Sequence, residues 1–228
     1  LSDGYTFLES LSEKDKPWDK HRRNADIISN YYRQGGMDSH AERVSLCSQL
    51  LEFKAVPDKQ KNQQKLKLTS AKFCRVRHCP ICQWRRSLRW KAKAYENLPK
   101  VVKDYPDGRW IFLTLTMKNC PLTDLRDTLS HLNQSFRRLT QLKAFPGIGW
   151  IKSVEITRGR DGQSAHPHLH CLIFLKDTYY KEDYLSKADW IALWKQCLRV
   201  DYSPILDVKA VQAEISPVGL IAEILKYQ

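Results

Sequence analysis

The stretch HPHLHCLIF, His166 to Phe174, places histidines at alternate positions and then turns wholly apolar. Side chains along a β-strand point alternately to opposite faces, so His166, His168, His170, Leu172 and Phe174 share one face. The apolar CLIF portion reads as the buried part of the same strand. Before it, RGRDGQSA (Arg158 to Ala165) contains a turn and WIKSVEIT (Trp150 to Thr157) reads as a strand, so the two strands predict a β-hairpin. Ile151, Ser153, Glu155 and Thr157 face together on the partner strand. Two imidazoles at i and i+2 lie close enough to hold one divalent cation, and Glu155 is the natural third ligand. A His–His–carboxylate set leaves coordination positions open for a substrate oxygen, as Lewis-acid catalysis requires. That openness argues against a purely structural zinc site.

Outward from this hairpin the pattern alternates between strand and helix. WIFLTLT (Trp110 to Thr116) reads as a buried strand. A helix is expected from about Thr123, as N-cap, to Ala144, with Leu125, Leu129, Leu132, Phe136 and Leu139 at helical spacing. Lys187 to Leu198 reads as a helix and Ile205 to Val211 as a strand. SPVGLIAEILKYQ opens a final helix with Ser216 as cap. The chain stops inside that helix, so further sequence is expected after it. Towards the N-terminus, Trp18 to Arg33 reads as a helix ended by QGG. Val44 to Val56 reads as strand or extended, Pro57 to Lys65 as a polar loop, and Leu66 to Phe73 as a returning strand. Gln83 to Leu98 reads as a basic amphipathic helix with Trp84, Leu88, Ala92 and Tyr95 on one face. The order, a helix and cysteine module followed by β-α-β-β-α-β-α, predicts an α+β protein with a helix-covered sheet.

The formal net charge is +13 and the pI about 9.4. A field of that sign favours polyanions, and nucleic acid is the commonest such partner. The charge is also clustered: from Lys72 to Lys93 there are eight Lys/Arg and no Asp or Glu, interleaved with Phe73, Trp84 and Trp90. Basic groups contact phosphates and aromatic rings stack on bases, although Trp84 and Trp90 could equally be core residues. Arg75, Arg77, Arg85, Arg86, Arg89 and Lys93 are the candidate DNA contacts. The mean hydropathy is −0.53. No apolar run is long enough to span a membrane, and the polar N-terminus does not resemble a signal peptide. A cytoplasmic protein is expected.

Among seven cysteines, Cys74, Cys79 and Cys82 form C-x4-C-x2-C, with Cys47 upstream across a strand–loop–strand. Four thiolates in this arrangement suit tetrahedral, structural Zn²⁺. His78 is an alternative ligand, poorly placed beside Cys79. Cys120, Cys171 and Cys197 are scattered; Cys171 and Cys197 read as ordinary buried thiols.

The HPHLH segment resembles the HUH motif of rolling-circle replication initiators, relaxases and related transposases, with His168-Leu169-His170 matching it. FLTLT (Phe112 to Thr116) resembles that superfamily's first motif strand, and AEILKYQ (Ala222 to Gln228) its tyrosine motif. KPW (Lys16 to Trp18), ERVSLC (Glu42 to Cys47) and FCRVRHCPICQWRR (Phe73 to Arg86) are similar to the N-terminal part of plasmid initiators with one catalytic tyrosine. The resemblance covers nearly the whole chain in the same order. It implies an antiparallel, ferredoxin- or RRM-like palm behind an N-terminal zinc module, divided as residues 1–100 and 101–228. It also implies Tyr227 as nucleophile, Glu223 as the carboxylate that activates water, and Mn²⁺ or Mg²⁺ on His168 and His170 with Glu155. His166 could be a third imidazole ligand, a phosphate contact or an orienting group. The product would be a 5′-phosphotyrosine and a free 3′-OH primer. DNA is the implied partner, as double-stranded origin and single-stranded nick site, with host helicase and polymerase behind it. A transposase and a non-catalytic, zinc-stabilised DNA-binding regulator are the competing readings.

Overall fold

The computed structural model describes residues 15–58 and 63–211. The predicted helix that carries Glu223 and Tyr227 lies outside the described residues. The chain divides into two compact units, Leu1–Trp90 and Lys91–Gln228.

In the first unit, α1 (Lys16–Gln34) starts with Pro17 in its first turn and ends at Gly35. Gly36 follows in the left-handed region at φ +69°, where glycine carries no steric penalty. The helix α2 (Asp38–Ser45) then packs back on α1, with the buried Ser29 hydroxyl donating to the Ala41 carbonyl at 2.8 Å. β1 (Leu51–Asp58) and β2 (Gln63–Ala71) form an antiparallel hairpin with a bulge at Glu52/Phe53. α3 begins at Pro80 in this unit and runs to Asp104 in the next. The small core joins Trp18, Ala25, Val44, Cys47, Val76, Cys79 and Ile81. Trp18 meets Trp84 edge-on at 4.9 Å.

Several sequence expectations change here. Val44 belongs to a helix of eight residues, too short to show a helical period, and the strand starts only at Leu51. The described ends of the polar run from Pro57 to Lys65 are strand rather than loop, because Val56 pairs with Lys65 and Pro57 with Gln64; a hairpin ladder needs backbone groups, not apolar side chains. α3 continues through Pro99 rather than stopping at Leu98. Its expected apolar face is only partly buried: Leu88 and Tyr95 are exposed.

The second unit is a four-stranded antiparallel sheet in the order β4-β5-β3-β6, from β3 (Arg109–Thr116), β4 (Gly147–Arg158), β5 (Ala165–Leu175) and β6 (Leu206–Ala210). Helices α4 (Leu125–Gln141) and α5 (Lys187–Leu198) contribute Leu132, Phe136, Leu139, Trp190 and Trp194 to one core. That core takes Ile111, Leu113 and Leu115 from β3 and Leu169, Cys171, Ile173 and Leu175 from β5. The helices therefore cover the face of β5 opposite to its histidines. β5 is nearly all buried, as its apolar run predicts for a central strand. On the histidine side, Leu172 packs with Trp110, Phe112, Ile151 and Val211. The fold is thus α+β, with antiparallel sheets flanked by helices.

α5 has the predicted bounds, fixed by a capping box in which Ser186 and Asp189 satisfy each other's backbone N–H. α4 differs from expectation. Thr123 lies in a 3₁₀ turn (Leu122–Asp124) and spends its hydroxyl on Asp124 Oδ1 at 2.9 Å, so it is not the cap. The helix ends at Gln141, where Leu142 turns extended, and Leu142 and Phe145 pack against the core.

Candidate metal centres

β4 and β5 pair in a register that sets Glu155 opposite His168, Ser153 opposite His170 and Thr157 opposite His166. The hairpin expectation for these residues thus matches the geometry. One carboxylate oxygen, Glu155 Oε2, lies 2.9 Å from His168 Nε2 and 2.8 Å from His170 Nε2. Ligand atoms of Glu155, His168 and His170 all lie within 4.8 Å of one another, and His166 is outside this set. Both inner histidines are buried. Burial opposes charge on Glu155, but hydrogen bonds that His170 and His168 can give it when doubly protonated outweigh burial and hold the carboxyl below its ordinary value.

The hydrogen bonds behind the rings decide what the three groups can hold. His168 Nδ1 sits 3.2 Å from the His166 carbonyl, which can only accept, so that nitrogen carries a proton. A neutral His168 then points a lone pair from Nε2 at a carboxylate oxygen, an acceptor facing an acceptor. Such a contact is stable when a cation or a further proton stands between the two. His170 Nδ1 lies 3.4 Å from Thr114 Oγ1 on β3, a backing oxygen of the kind that orients metal-ligating imidazoles. Beside them the Ser153 hydroxyl is buried without a hydrogen-bond partner among the described residues. Buried polar groups are rarely left unsatisfied, so this too fits a centre that takes up an ion and its water. Two nitrogens and a carboxylate suit a divalent cation with positions left open.

The second centre is in the first unit. Cys47, Cys74, Cys79 and Cys82 bring their sulfurs within 4.8 Å of one another. Cys82 Sγ is 3.7 Å from Cys47 Sγ and 3.6 Å from Cys74 Sγ. Tetrahedral Zn–S bonds of ~2.3 Å put sulfurs ~3.8 Å apart, so the spacing fits. Backbone N–H groups point at the sulfurs: Cys74 at Cys47 (3.4 Å), Arg75 at Cys82 (3.3 Å) and Val76 at Cys74 (3.4 Å). Arg75 makes this turn with φ +57°. A hydrogen bond from Cys79 holds the Cys47 thiol below its usual range, and the same bond, with burial, raises Cys79. Burial likewise pushes Cys82 up to about 12. His78 is exposed and outside the cluster.

The proposed basic contacts are distributed over the knuckle and α3. Arg75 and Arg77 are exposed on the knuckle, and Arg86, Arg89 and Lys93 are exposed on α3. Arg85 instead lies against the rings of Trp18 and Trp84, 5.5 and 5.7 Å from their centroids, so part of its role is packing. Cys171 is fully buried and its thiol is raised by that burial, as an inert core residue would be.

Sequence reading gave no role to Thr114 or Asn119, and none to Ser153, although it set Ser153 on the Glu155 face. Strand parity could have found Thr114, since it is, like Ser153, a cross-strand neighbour of His170. Asn119 lies outside the strands, and no periodic signal marks it.

The family described as "Replication protein" matches residues 65–228. The chain belongs to that family. "Protein rep" of Streptococcus pneumoniae serotype 2 is 34% identical over 222 residues, covering 94% of this chain and 68% of its own length. "Protein rep" of Bacillus amyloliquefaciens is 35% identical over 225 residues, covering 92% of this chain and 64% of its own. A Bacillus sp. "Protein rep" is 37% identical over 179 residues, 76% of this chain and 56% of its own. The chain therefore spans between about half and two thirds of the length of these relatives. No solved structure gives a significant match. The family span contains Cys74, Cys79, Cys82 and the whole Glu155–His168–His170 set. Among the described residues no helix is long and apolar enough to cross a membrane.

Proposed function

We propose that this replication protein is a metal-dependent, site-specific nicking and joining endonuclease that starts rolling-circle replication of a plasmid. The observation that carries the reading is the convergence of Glu155, His168 and His170 on the face of the sheet away from α4 and α5, in a chain of a replication-protein family. In this reading Glu155, His168 and His170 hold a divalent cation, Mn²⁺ or Mg²⁺. Bound there, the ion supplies Lewis-acid polarisation of the scissile phosphate. Tyr227 is the nucleophile: its oxygen bonds to phosphorus, the P–O3′ bond breaks, and the departing 3′ oxygen leaves as a hydroxyl. The chain keeps the 5′ end as a phosphotyrosine and the 3′-OH primes synthesis. The phosphodiester energy is retained, so joining is the reverse step. Glu223, one helical turn before Tyr227, activates water to release the enzyme at the end.

The four cysteines hold a structural Zn²⁺ within a DNA-contacting module, taken as residues 1–100, ahead of a catalytic domain of residues 101–228. Arg75, Arg77, Arg86, Arg89 and Lys93 offer cations to duplex phosphates, with Arg85 packed among them. The test is incubation with origin-derived single-stranded oligonucleotides and Mn²⁺, followed by mass spectrometry of any DNA–peptide adduct. An adduct on Tyr227, lost in Tyr227→Phe and in EDTA, is expected. Equal adduct from Tyr227→Phe would remove the nucleophile assignment. Glu223→Ala is expected to form the adduct and release it slowly.

A further inference from the structure

His166 shares the histidine face of β5, yet its place is set from the loop on its other side. Residues Cys120 and Ala165 exchange both backbone hydrogen bonds, each at 2.9 Å, which brings the Lys118–Cys120 segment alongside the start of β5. Asn119 Oδ1 then meets His166 Nδ1 at 2.7 Å.

The direction of that hydrogen bond is fixed from the far end of a relay. Asp161 Oδ1 takes the backbone N–H of Gln163 at 2.9 Å, that of Ser164 at 2.8 Å, and the Ser164 hydroxyl at 2.9 Å. The backbone bonds from Ser164 and Gln163 hold the Asp161 carboxyl below its ordinary range, so it is an acceptor. Ser164 has thus given away its one proton, and its oxygen accepts from Asn119 Nδ2 at 3.0 Å. The Asn119 amide is oriented with its oxygen towards His166, and His166 must donate from Nδ1. A neutral His166 therefore carries its lone pair on Nε2. Gly159 leaves the space for this relay: a Cβ there would overlap Ser164 Oγ and come within 2.7 Å of Asn119 Nδ2 and 2.9 Å of Asp161 Oδ1.

This geometry separates the three roles open to His166. With the ring neutral, a phosphate oxygen, itself an acceptor, finds no donor at Nε2. Direct ligation needs a nitrogen inside the Glu155–His168–His170 set, and His166 is outside it, with its ring 5.2 Å from that of His168. What remains is an acceptor for a proton-bearing oxygen.

We propose that Asn119 is a positioning residue that locks His166 in the Nδ1–H tautomer, so that Nε2 accepts a hydrogen bond from a water or hydroxyl group in the open coordination of the Glu155–His168–His170 cation. The cation half of this inference rests on the function proposed above; the tautomer half does not.

Long-range ¹H–¹⁵N spectra of the full chain with ¹⁵N-labelled histidine test the tautomer, with the His166 signals assigned by their loss in His166→Gln. A protonated Nδ1 and unprotonated Nε2 are expected in the wild type. Asn119→Ala should release the ring to a mixture, and Asn119→Asp, which keeps an acceptor oxygen, should restore the Nδ1–H form. An Nε2–H wild type, or an unchanged ring in Asn119→Ala, overturns the proposal without involving activity or metal. Pulsed EPR of the Mn²⁺-loaded protein with ¹⁵N-histidine tests the second half. Two directly bound histidine nitrogens are expected in wild type and in His166→Gln; loss of one in the variant would make His166 a ligand and overturn the acceptor role. With the ligand count unchanged, adduct formation by Asn119→Ala is expected to fall ~10- to 100-fold. A protein that binds Mn²⁺ but forms no adduct defeats the nicking function alone; one that binds no Mn²⁺ defeats the cation half, while the spectra still decide the tautomer.

Discussion

Replacing Cys82 by serine should unfold the first unit and leave the second standing. Cys82 is the sulfur that touches both Cys47 and Cys74, at 3.7 and 3.6 Å, and it receives the Arg75 backbone N–H. A metal shared by these thiolates cross-links Cys47 to Cys74, 27 positions apart in sequence. Closing a loop of that length removes about 3.5 kcal/mol of denatured-state entropy by the cross-link relation. Metal–sulfur bonding adds to this, and structural zinc in small modules is worth ~10–16 kcal/mol in all. Among the described residues, the apolar core it supports has Trp18, Val44, Val76 and Ile81 as its sizeable non-cysteine buried side chains, each worth ~1.5–3 kcal/mol. Whole domains keep a margin of only ~5–15 kcal/mol, so loss of the metal exceeds what this unit can bear. The assay is metal stoichiometry by mass spectrometry with hydrogen exchange of the same sample. Wild type is expected to hold one Zn²⁺ with protected amides in α1 and α2. In Cys82→Ser both should be lost, with protection in β3 and β5 retained, and His78→Ala should behave as wild type. Undiminished protection of α1 and α2 in zinc-free Cys82→Ser would refute the reasoning, because it would show a core that stands without its cross-link.

Glu155→Gln keeps the shape of the histidine centre but removes its anion, so Mn²⁺ binding measured by calorimetry should fall below detection while the melting temperature stays close to wild type. Trp194 is fully buried and donates its indole N–H to the Thr116 carbonyl at 2.8 Å. Trp194→Phe leaves that carbonyl unpaired and should cost ~1–3 kcal/mol in urea denaturation. At Gly108 a Cβ would overlap the Phe174 ring. Gly108→Ala should therefore destabilise by ~1–3 kcal/mol in thermal melts, with Mn²⁺ affinity retained because the strain lies at the far end of β5 from the histidines.

Sequence showed the parts of this molecule that are strictly periodic. β5 was legible because its run is continuously apolar, and α5 because Lys187 to Leu198 carries a helical pattern, whose start the Ser186–Asp189 capping box fixes in the structure. The Glu155–His168–His170 set was legible for the same reason: in a hairpin, face parity decides which side chains meet. The misses share a cause as well. α2 is shorter than the window a helical period needs. The ends of β1 and β2 are polar strands made by backbone pairing. The cap of α4 was assigned to Thr123 because a hydroxyl in that place usually caps, whereas here it binds its neighbour Asp124. Asn119 reaches His166 through an isolated bridge between Cys120 and Ala165, and such tertiary pairing leaves no mark on local sequence.

The two candidate centres differ in a way that assigns them different work. Four thiolates close a tetrahedron, leave no coordination position, and lie in a module whose core is too small without them. In the proposed reading that is a structural site, whose chemistry ends with the fold. The histidine centre is the opposite case. It has three ligand groups, lies on the face of the sheet away from α4 and α5, and belongs to a unit whose core of Trp190, Trp194, Leu113 and Ile173 is complete without it. In the proposed reading an ion there would add little to stability, and its open positions would be available for a substrate oxygen. The backing of each imidazole strengthens this division: His170 by Thr114, His168 by the His166 carbonyl, and His166 by Asn119. Rings fixed in direction before any ion arrives lose little freedom when it binds, and that preorganisation is what a catalytic centre requires and a structural one obtains from folding itself.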